Sequence, residues 1–465
     1  MAHGALPFLP AAWAAARDAA PALYDADGWV DYGTLRARIA ALTPALAAPR
    51  KSLIFCGVTA SSAGITAYLA AAASPHAVAL LDPALPQWAE LVAAYQPEFI
   101  IMPSSFQNTA DHGMADYRAV DWGGMHLWRR ATAVDSAVHP ELFLLLLTSG
   151  STGGRKFVRL SYNNISSNTA AIIVSLGLTA PARGLLHLPL SYSFGLSVLH
   201  MVLAVGGGVA VTGLGMMERG FWDFARAAGT NLFPGVPYHY EMLERLGLAR
   251  LALPELKLFL QAGGRLDPEL ARRLLPELTA RGGALYVMYG QTEAAPRLTC
   301  FAAQENPEKI GSVGRVLPGG TLTIENEEII YRGPNVMLGY ATDRADLALG
   351  DVQGGVLPTG DLGRIDEDGF VTITGRRQRF AKLFGVRIAL DEIEALLRPL
   401  APVAVYEAAA QIVIATTLED AAALRDRAAA LTCLPPSWFK VQRVAEFPWL
   451  PNGKLDYRRL MESPA

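Results

Sequence analysis

The chain has 465 residues, a net charge of −3, 51% hydrophobic and 18% charged residues, with 43 glycines and 30 prolines. A single hydrophobic core stops growing at roughly 250–300 residues, so at least two domains are expected, and the balanced composition excludes a chain dominated by disorder. With so little net charge there is no whole-molecule field to attract nucleic acid or an anionic membrane surface, and any polyanion must be gripped locally.

Met1–Ala20 is alanine-rich but lacks the basic start and uninterrupted apolar stretch of a secretory signal. From Lys51 the text alternates strand-like and helix-like pieces: a strand at Ser52–Cys56, an alanine-rich helix ending at Ala73, a strand at Ala77–Leu81, a helix at Trp88–Tyr95 and a strand at Phe99–Met102. This rhythm predicts α/β architecture, with layered sheets carrying helices on their faces. It resumes after Gly150 with helices at Ser166–Leu176 and Phe221–Ala228 and strands at Gly184–Leu188 and Lys257–Gln261.

Between Gly311 and Thr374 the runs become short and β-rich (Thr321–Glu325, Glu328–Arg332, Phe370–Thr374), separated by Gly, Pro and Asp turns, which predicts a small β subdomain. A compact α+β tail follows: helices at Asp391–Leu397 and Asp420–Leu431, and strands near Val403–Val405, Ala410–Ala415 and Phe439–Val444. The expected division is a large multi-layer N-terminal domain over residues 1–377 and a small C-terminal α+β domain over 378–465. The longest apolar stretches, Ile65–Ala73 and Val198–Val211, fall short of the roughly 20 residues that span a bilayer, so a cytoplasmic protein without an integral membrane segment is expected. The three cysteines, Cys56, Cys300 and Cys433, show no C-x-x-C spacing and read as reduced structural thiols.

The strongest local signal is the apolar run Leu144–Leu147 entering Thr148, Ser149, Gly150, Ser151, Thr152, Gly153, Gly154, Arg155 and Lys156. Glycines let backbone N–H groups close on phosphate oxygens, hydroxyls add donors and the lysine adds charge. A nucleoside-triphosphatase P-loop begun at Gly150 would need glycine at Arg155 and Ser or Thr at Phe157, so a kinase or GTPase reading loses its main support. Gly213-Leu214-Gly215 lacks dinucleotide-binding spacing, and His187 and His200 read as core residues.

Thr148–Lys156 resembles the T-S-G-[ST]-T-G-x-P-K-G signature of the adenylate-forming superfamily of acyl-CoA synthetases, peptide-synthetase adenylation domains and luciferases. Further signatures recur in order: Tyr289-Gly290-Gln291-Thr292-Glu293 resembles Y-G-x-T-E, Thr359-Gly360-Asp361 resembles T-G-D, and Gly375-Arg376 resembles the hinge entry. Lys382 through Glu394 fits K-x-x-G-x-R-I-x-x-x-E-I-E, and Pro451-Asn452-Gly453-Lys454 fits the C-terminal P-x-G-K loop. Any one of these is weak, whereas the ordered set is specific.

The resemblance implies ATP and Mg²⁺ as cofactors. It makes Glu293 the Mg²⁺ ligand, Thr292 a donor to the α-phosphate, Tyr289 the adenine platform with Gly290 and Gly264 beside it, and Asp361 with Arg376 the ribose contacts. Lys454 becomes the catalytic lysine, Lys382 lies nearer the thioester step, and the small domain is expected to turn about Gln378. Leu188–Gly195 resembles the segment flooring the acyl site, which implies a pocket of Tyr192, Phe194, Ser197, Val236, Gly263 and Met288.

The sequence departs from the family at Arg155, Phe157 and Gln378, and carries Tyr192 where His is common. No acid lies between Leu188 and Leu203 to neutralise a substrate ammonium, which favours an uncharged acyl or hydroxyacyl group over an α-amino acid. Asn452–Asp456 looks like peptide-synthetase domains, whereas the Ala294–Arg297 surroundings are similar to stand-alone bacterial acyl ligases. The expected function is therefore an ATP-dependent ligase that forms an acyl-AMP from a carboxylic acid and passes the acyl group in trans to CoA or a carrier protein. Alternatives are a stand-alone amino-acid adenylation enzyme and a catalytically silent nucleotide- or acyl-AMP-binding regulator.

Overall fold

The computed structural model describes residues 6–14, 17–106, 113–149, 155–377, 379–383, 386–409, 411–419, 421–432, 434–450 and 453–462. Two compact units result, one of Met1–Thr321 with Arg332–Leu357 and one of Leu322–Tyr331 with Pro358–Ala465. Among the described residues no helix is long and apolar enough to cross a membrane.

The first unit is α/β and built on two large sheets. In the nine-stranded sheet, Gly208–Val211, Arg183–Leu186, Leu232–Gly235, Leu258–Gln261 and Ala284–Tyr289 lie parallel, with antiparallel strands at both edges. In the eight-stranded sheet, Phe99–Pro103, Leu53–Gly57, Ala77–Leu81 and Leu142–Ser149 are the parallel centre. Leu53–Gly57 and Ala77–Leu81 are buried at every position, which is why they read as unbroken apolar runs rather than alternating ones.

Helices Ser62–Ala73 and Ser193–Ala204 are apolar nearly all round and join both sheets in one continuous core containing Ile65, Leu69, Val198, Leu199, Val78, Leu186 and Leu260. Ser61 caps the first by accepting from the Gly64 N–H at 3.0 Å. Ser161 and Asn164 form a reciprocal capping box that starts helix Tyr162–Leu176, four residues before the sequence pattern places it. His200 is a core residue as expected: its Nε2 lies 2.7 Å from the Tyr68 hydroxyl and its ring stacks on Phe8 at 3.7 Å.

At one edge of the eight-stranded sheet, Arg155–Ser161 pairs with both Leu142–Ser149 and Gly339–Ala341. Arg159, fully buried, holds the latter segment in place by donating to the carbonyls of Leu338 at 3.1 Å, Tyr340 at 3.0 Å, Gly350 at 3.2 Å and Leu349.

The second unit is α+β. Thr321–Glu325, Glu328–Arg332, Val356–Ile365 and Val371–Arg376 form a four-stranded sheet, the small β subdomain anticipated from its turns. Beyond it lie the hairpin Phe380–Leu383 with Val386–Ala389, helix Leu390–Leu397, and a three-stranded sheet of Val403–Ala408, Gln411–Thr416 and Phe439–Arg443 packed with helix Ala422–Thr432. Gln378 lies outside the described residues.

Candidate active site

The site of the first unit is built where parallel strands run out of the sheet. Ala284–Tyr289 is the last parallel strand of its sheet and ends in Gly290. A Cβ at Gly290 would collide with the backbone carbonyl of Pro296, so only glycine lets the chain turn there. The turn delivers Thr292 and Glu293 into the short 3-10 helix Thr292–Ala294.

Thr292 Oγ1 lies 3.1 Å from the hydroxyl of Ser193, the first residue of helix Ser193–Ala204, so two hydroxyls meet at the positive end of a helix. Glu293 Oε1 accepts from the Tyr340 hydroxyl at 2.9 Å, and Lys156 Nζ sits 3.6 Å from the centre of the same Tyr340 ring. Tyr340 thus stands between the lysine that closes the predicted phosphate loop and the predicted Mg²⁺ ligand. Gly150, Ser151, Thr152 and Gly153 lie outside the described residues; Thr148 and Ser149 form the end of strand Leu142–Ser149, opposite Lys156 and Arg155.

The residues predicted to line the acyl pocket converge in the same unit. A Cβ at Gly263, whose φ is +82°, would meet the Tyr192 hydroxyl and Val236 Cγ1. Gln261, buried beneath, donates from Nε2 to the carbonyls of Ala262 at 3.3 Å and Gly264 at 2.9 Å and so shapes the Ala262-Gly263-Gly264 turn. Tyr192 meets Phe194 edge-on at 6.2 Å. Burial pushes the Tyr192 phenol up to about 12, against the pull of Arg297. Ser197 gives its hydroxyl to the Phe194 carbonyl at 2.7 Å, so that donor is satisfied within the helix. Met288 lies beneath Arg297, whose Nε is 3.4 Å from its sulfur.

In the second unit Asp361, only 4% exposed, accepts from Arg376 Nε at 2.9 Å, bringing together the two predicted ribose contacts. Arg377 pairs with Glu328 at 2.5 Å. On the other side of residue 378, Arg379 pairs with Asp391 and with Glu394, the latter at 3.0 Å, and lies over the Tyr457 ring at 4.3 Å. Lys454 is exposed at a tight turn in which Leu450 N–H donates to the Lys454 carbonyl at 2.7 Å and Gly453 N–H to that of Leu450 at 2.8 Å.

Sequence reasoning assigned no role to Tyr340, Ser193 or Arg297. Tyr340 reaches the site through the pairing of Gly339–Ala341 with a strand some 180 positions earlier, which no local pattern reveals. Among the described residues no group of three or more His, Cys, Asp or Glu side chains could hold a metal, and the carboxylate that stands beside Tyr340 and Lys156 is Glu293. One carboxylate suits Mg²⁺, a hard cation that keeps much of its shell as water and phosphate oxygen.

The family described as AMP-binding enzyme matches residues 11–341. The 2-succinylbenzoate–CoA ligase of Geobacillus sp. (strain WCH70) is 31% identical over 273 residues, covering 55% of this chain and 53% of that protein. The chain thus spans about half the length of the curated relatives it matches. Among solved structures, O-succinylbenzoate coenzyme A synthetase (MenE) from Bacillus subtilis in complex with ATP and magnesium superposes with a TM-score of 0.75 at 20% identity, covering 95% of this chain and 96% of that one. ATP-bound MatB from Rhodopseudomonas palustris gives 0.76 at 22% identity over 96% of each chain. At these identities the likeness is one of fold, with a large N-terminal and a small C-terminal part.

Proposed function

The chain belongs to the AMP-binding enzyme family, and we propose that it is an ATP-dependent acid–CoA ligase working through an acyl-AMP. The observation that carries this reading is the grouping of Lys156, Tyr340 and Glu293 beside the Thr292–Ser193 hydroxyl pair. A cation, a carboxylate with a neutral partner, and two hydroxyls at a helix N-terminus are what a polyphosphate with its divalent cation requires.

A carboxylate oxygen of the acid bonds to the α-phosphorus of ATP as the bond to the β-phosphate oxygen breaks and pyrophosphate leaves. A thiol, as thiolate, then bonds to the acyl carbon while the C–O bond to AMP breaks, giving thioester and AMP. Little proton chemistry is involved, so positioning and electrostatics set the rate. Lys156 and the glycine-rich loop hold the departing pyrophosphate, Thr292 donates to the α-phosphate, and Tyr289 supplies the adenine platform with Gly264 and Gly290 beside it. Mg²⁺, when bound at Glu293, offsets phosphate charge. Asp361, beside Arg376, accepts the ribose hydroxyls, and Lys454 braces the α-phosphate and the reacting carboxylate. Residues 378–465 act as a lid turning about Gln378 between the two half-reactions. CoA is the favoured acceptor because the curated relatives are named as CoA ligases.

Acid-dependent pyrophosphate–ATP exchange tests the reading. A carboxylic acid should drive exchange in the wild type, and Lys454→Ala should lower it by on the order of 10²–10³, the range for losing one preorganised charge-stabilising donor. ATP binding without exchange on any acid would leave a nucleotide-binding regulator as the better description.

A further inference from the structure

Three arginines are buried in the first unit among the described residues: Arg159 at 0%, Arg297 at 3% and Arg344 at 6% exposure. Two have their charge matched by oxygen acceptors, although the Nε of Arg344 is left without one. Arg159 donates to four backbone carbonyls, and Arg344 pairs with both oxygens of Glu98, at 2.7 and 3.1 Å, while also reaching the carbonyls of Tyr95, Gln96 and Ser136.

Arg297 is held differently. Its Nε reaches only the Met288 sulfur at 3.4 Å, its guanidinium lies 4.2 Å from the Phe194 ring centre, and no carboxylate or carbonyl accepts from it among the described residues. A thioether is a weak acceptor, and a cation–π contact replaces only part of the hydration that a guanidinium loses on burial, so these two contacts do not balance its removal from water. Burial draws the guanidinium down to about 10, still well above neutral pH, so the charge is retained. Its neighbours Phe194, Met288 and Tyr192 belong to the acyl cluster, and the Tyr192 phenol, raised to about 12, is a neutral hydroxyl beside it.

We propose that Arg297 anchors a second carboxylate on the acid, so that the enzyme takes a dicarboxylic acid, adenylating one end while Arg297 holds the other. This rests on the ligase reading and deepens it. The buried cation also repels an ammonium, which separates this site from amino-acid adenylation by a positive charge rather than by a missing acid. An uncharged acyl chain would leave the guanidinium buried and unmatched, contrary to the uncharged substrate favoured by the sequence.

The test needs no mutant to begin. Pyrophosphate exchange is measured with paired acids, each dicarboxylic acid against its half methyl ester: 2-succinylbenzoate, glutarate and adipate. At least one free diacid should exceed its half ester by about tenfold or more in kcat/KM, the effect of roughly 1.4 kcal/mol of extra binding. Arg297→Met, which keeps the packing on Phe194 and Met288, should abolish the preference by raising KM for the acid while KM for ATP stays unchanged; Arg297→Lys should keep part of it. Exchange with half esters or monocarboxylic acids as good as with diacids would overturn the anchor and leave the ligase standing. A preference surviving in Arg297→Met, or a shift confined to KM for ATP, would overturn it as well. Absence of exchange with every acid would overturn both readings.

Discussion

The candidate site of the first unit and the segment around residue 378 in the second treat their carboxylates in opposite ways. In the first, Glu293 is met by a neutral phenol, and the nearby Lys156 ammonium lies against the face of that phenol's ring. In the second, Asp361, Glu328, Asp391 and Glu394 are each met by a guanidinium. A carboxylate hydrogen-bonded by a phenol is oriented but keeps its whole negative charge for an incoming cation, whereas one paired with arginine has spent much of it on holding the fold. Glu293 is therefore equipped to recruit charge and the acids around residue 378 to keep local structure. Asp361 stands between these roles, with one oxygen given to Arg376.

The largest effect that sharpens this contrast is expected from Glu293→Gln. Removing the charge while keeping an acceptor for Tyr340 should lower pyrophosphate exchange by on the order of 10²–10³, with a raised Mg²⁺ requirement and little change in melting temperature. If exchange persisted at ordinary Mg²⁺, the Glu293 charge would not be the cation's anchor. Next comes Arg379→Met, which leaves Asp391 without its guanidinium partner and the nearly buried Glu394 with only Arg398 and the Tyr457 hydroxyl among its charged and hydroxyl partners. A loss of about 3 kcal/mol is expected. Hydrogen–deuterium exchange should show it in peptides from 379 to 462, with those of the first unit unchanged.

A smaller and graded contrast is expected with pH. All eight histidines precede residue 240, so the second unit has none. Burial holds His200 down at about 3 and His239 at about 4, against an ordinary 6.5. The unfolded chain therefore takes up protons that the folded one refuses, and the stability this represents is complete above about pH 6.5 and lost as pH falls toward 4 and then 3. Hydrogen exchange between pH 7 and pH 4.5 should show protection falling in the first unit ahead of the second, and His200→Gln should flatten part of that slope. Equal loss in both units would assign the acid response to carboxylates instead.

Much of the first unit is legible because its strands are buried on both faces. Ala77–Leu81 and helix Trp88–Tyr95 form at the residues their apolar runs indicate. Helix Ser193–Ala204 is not legible as an element: eleven of its residues are buried, so its apolar positions carry no helical period, and the segment could be read only by its resemblance to an acyl-site floor. The edge hairpin of Tyr117–Trp122 and Met125–Arg130 also escaped notice, since half-exposed edge strands mix charged residues into a short pattern. At the site, Thr292 and Glu293 could be picked out from motif order, but their partners Ser193 and Tyr340 come from 99 and 47 positions away in the chain. Such pairings are set by sheet register and helix packing rather than by neighbouring residues. Arg297 was visible as a letter, and its significance lies in the acid it lacks, which only the fold can show.

The arginine pairs around residue 378 sort by side. Arg376 and Arg377 find Asp361 and Glu328, both earlier in the chain; Arg379 finds Asp391 and Glu394, both later. A swivel at residue 378 would carry each of these guanidiniums along with its own acid, as luggage rather than as a latch. Turning about that point would leave these four ion pairs intact, while the longer-range attraction of Arg376 for Asp391 across residue 378 would change and carry any ionic-strength dependence of the turn.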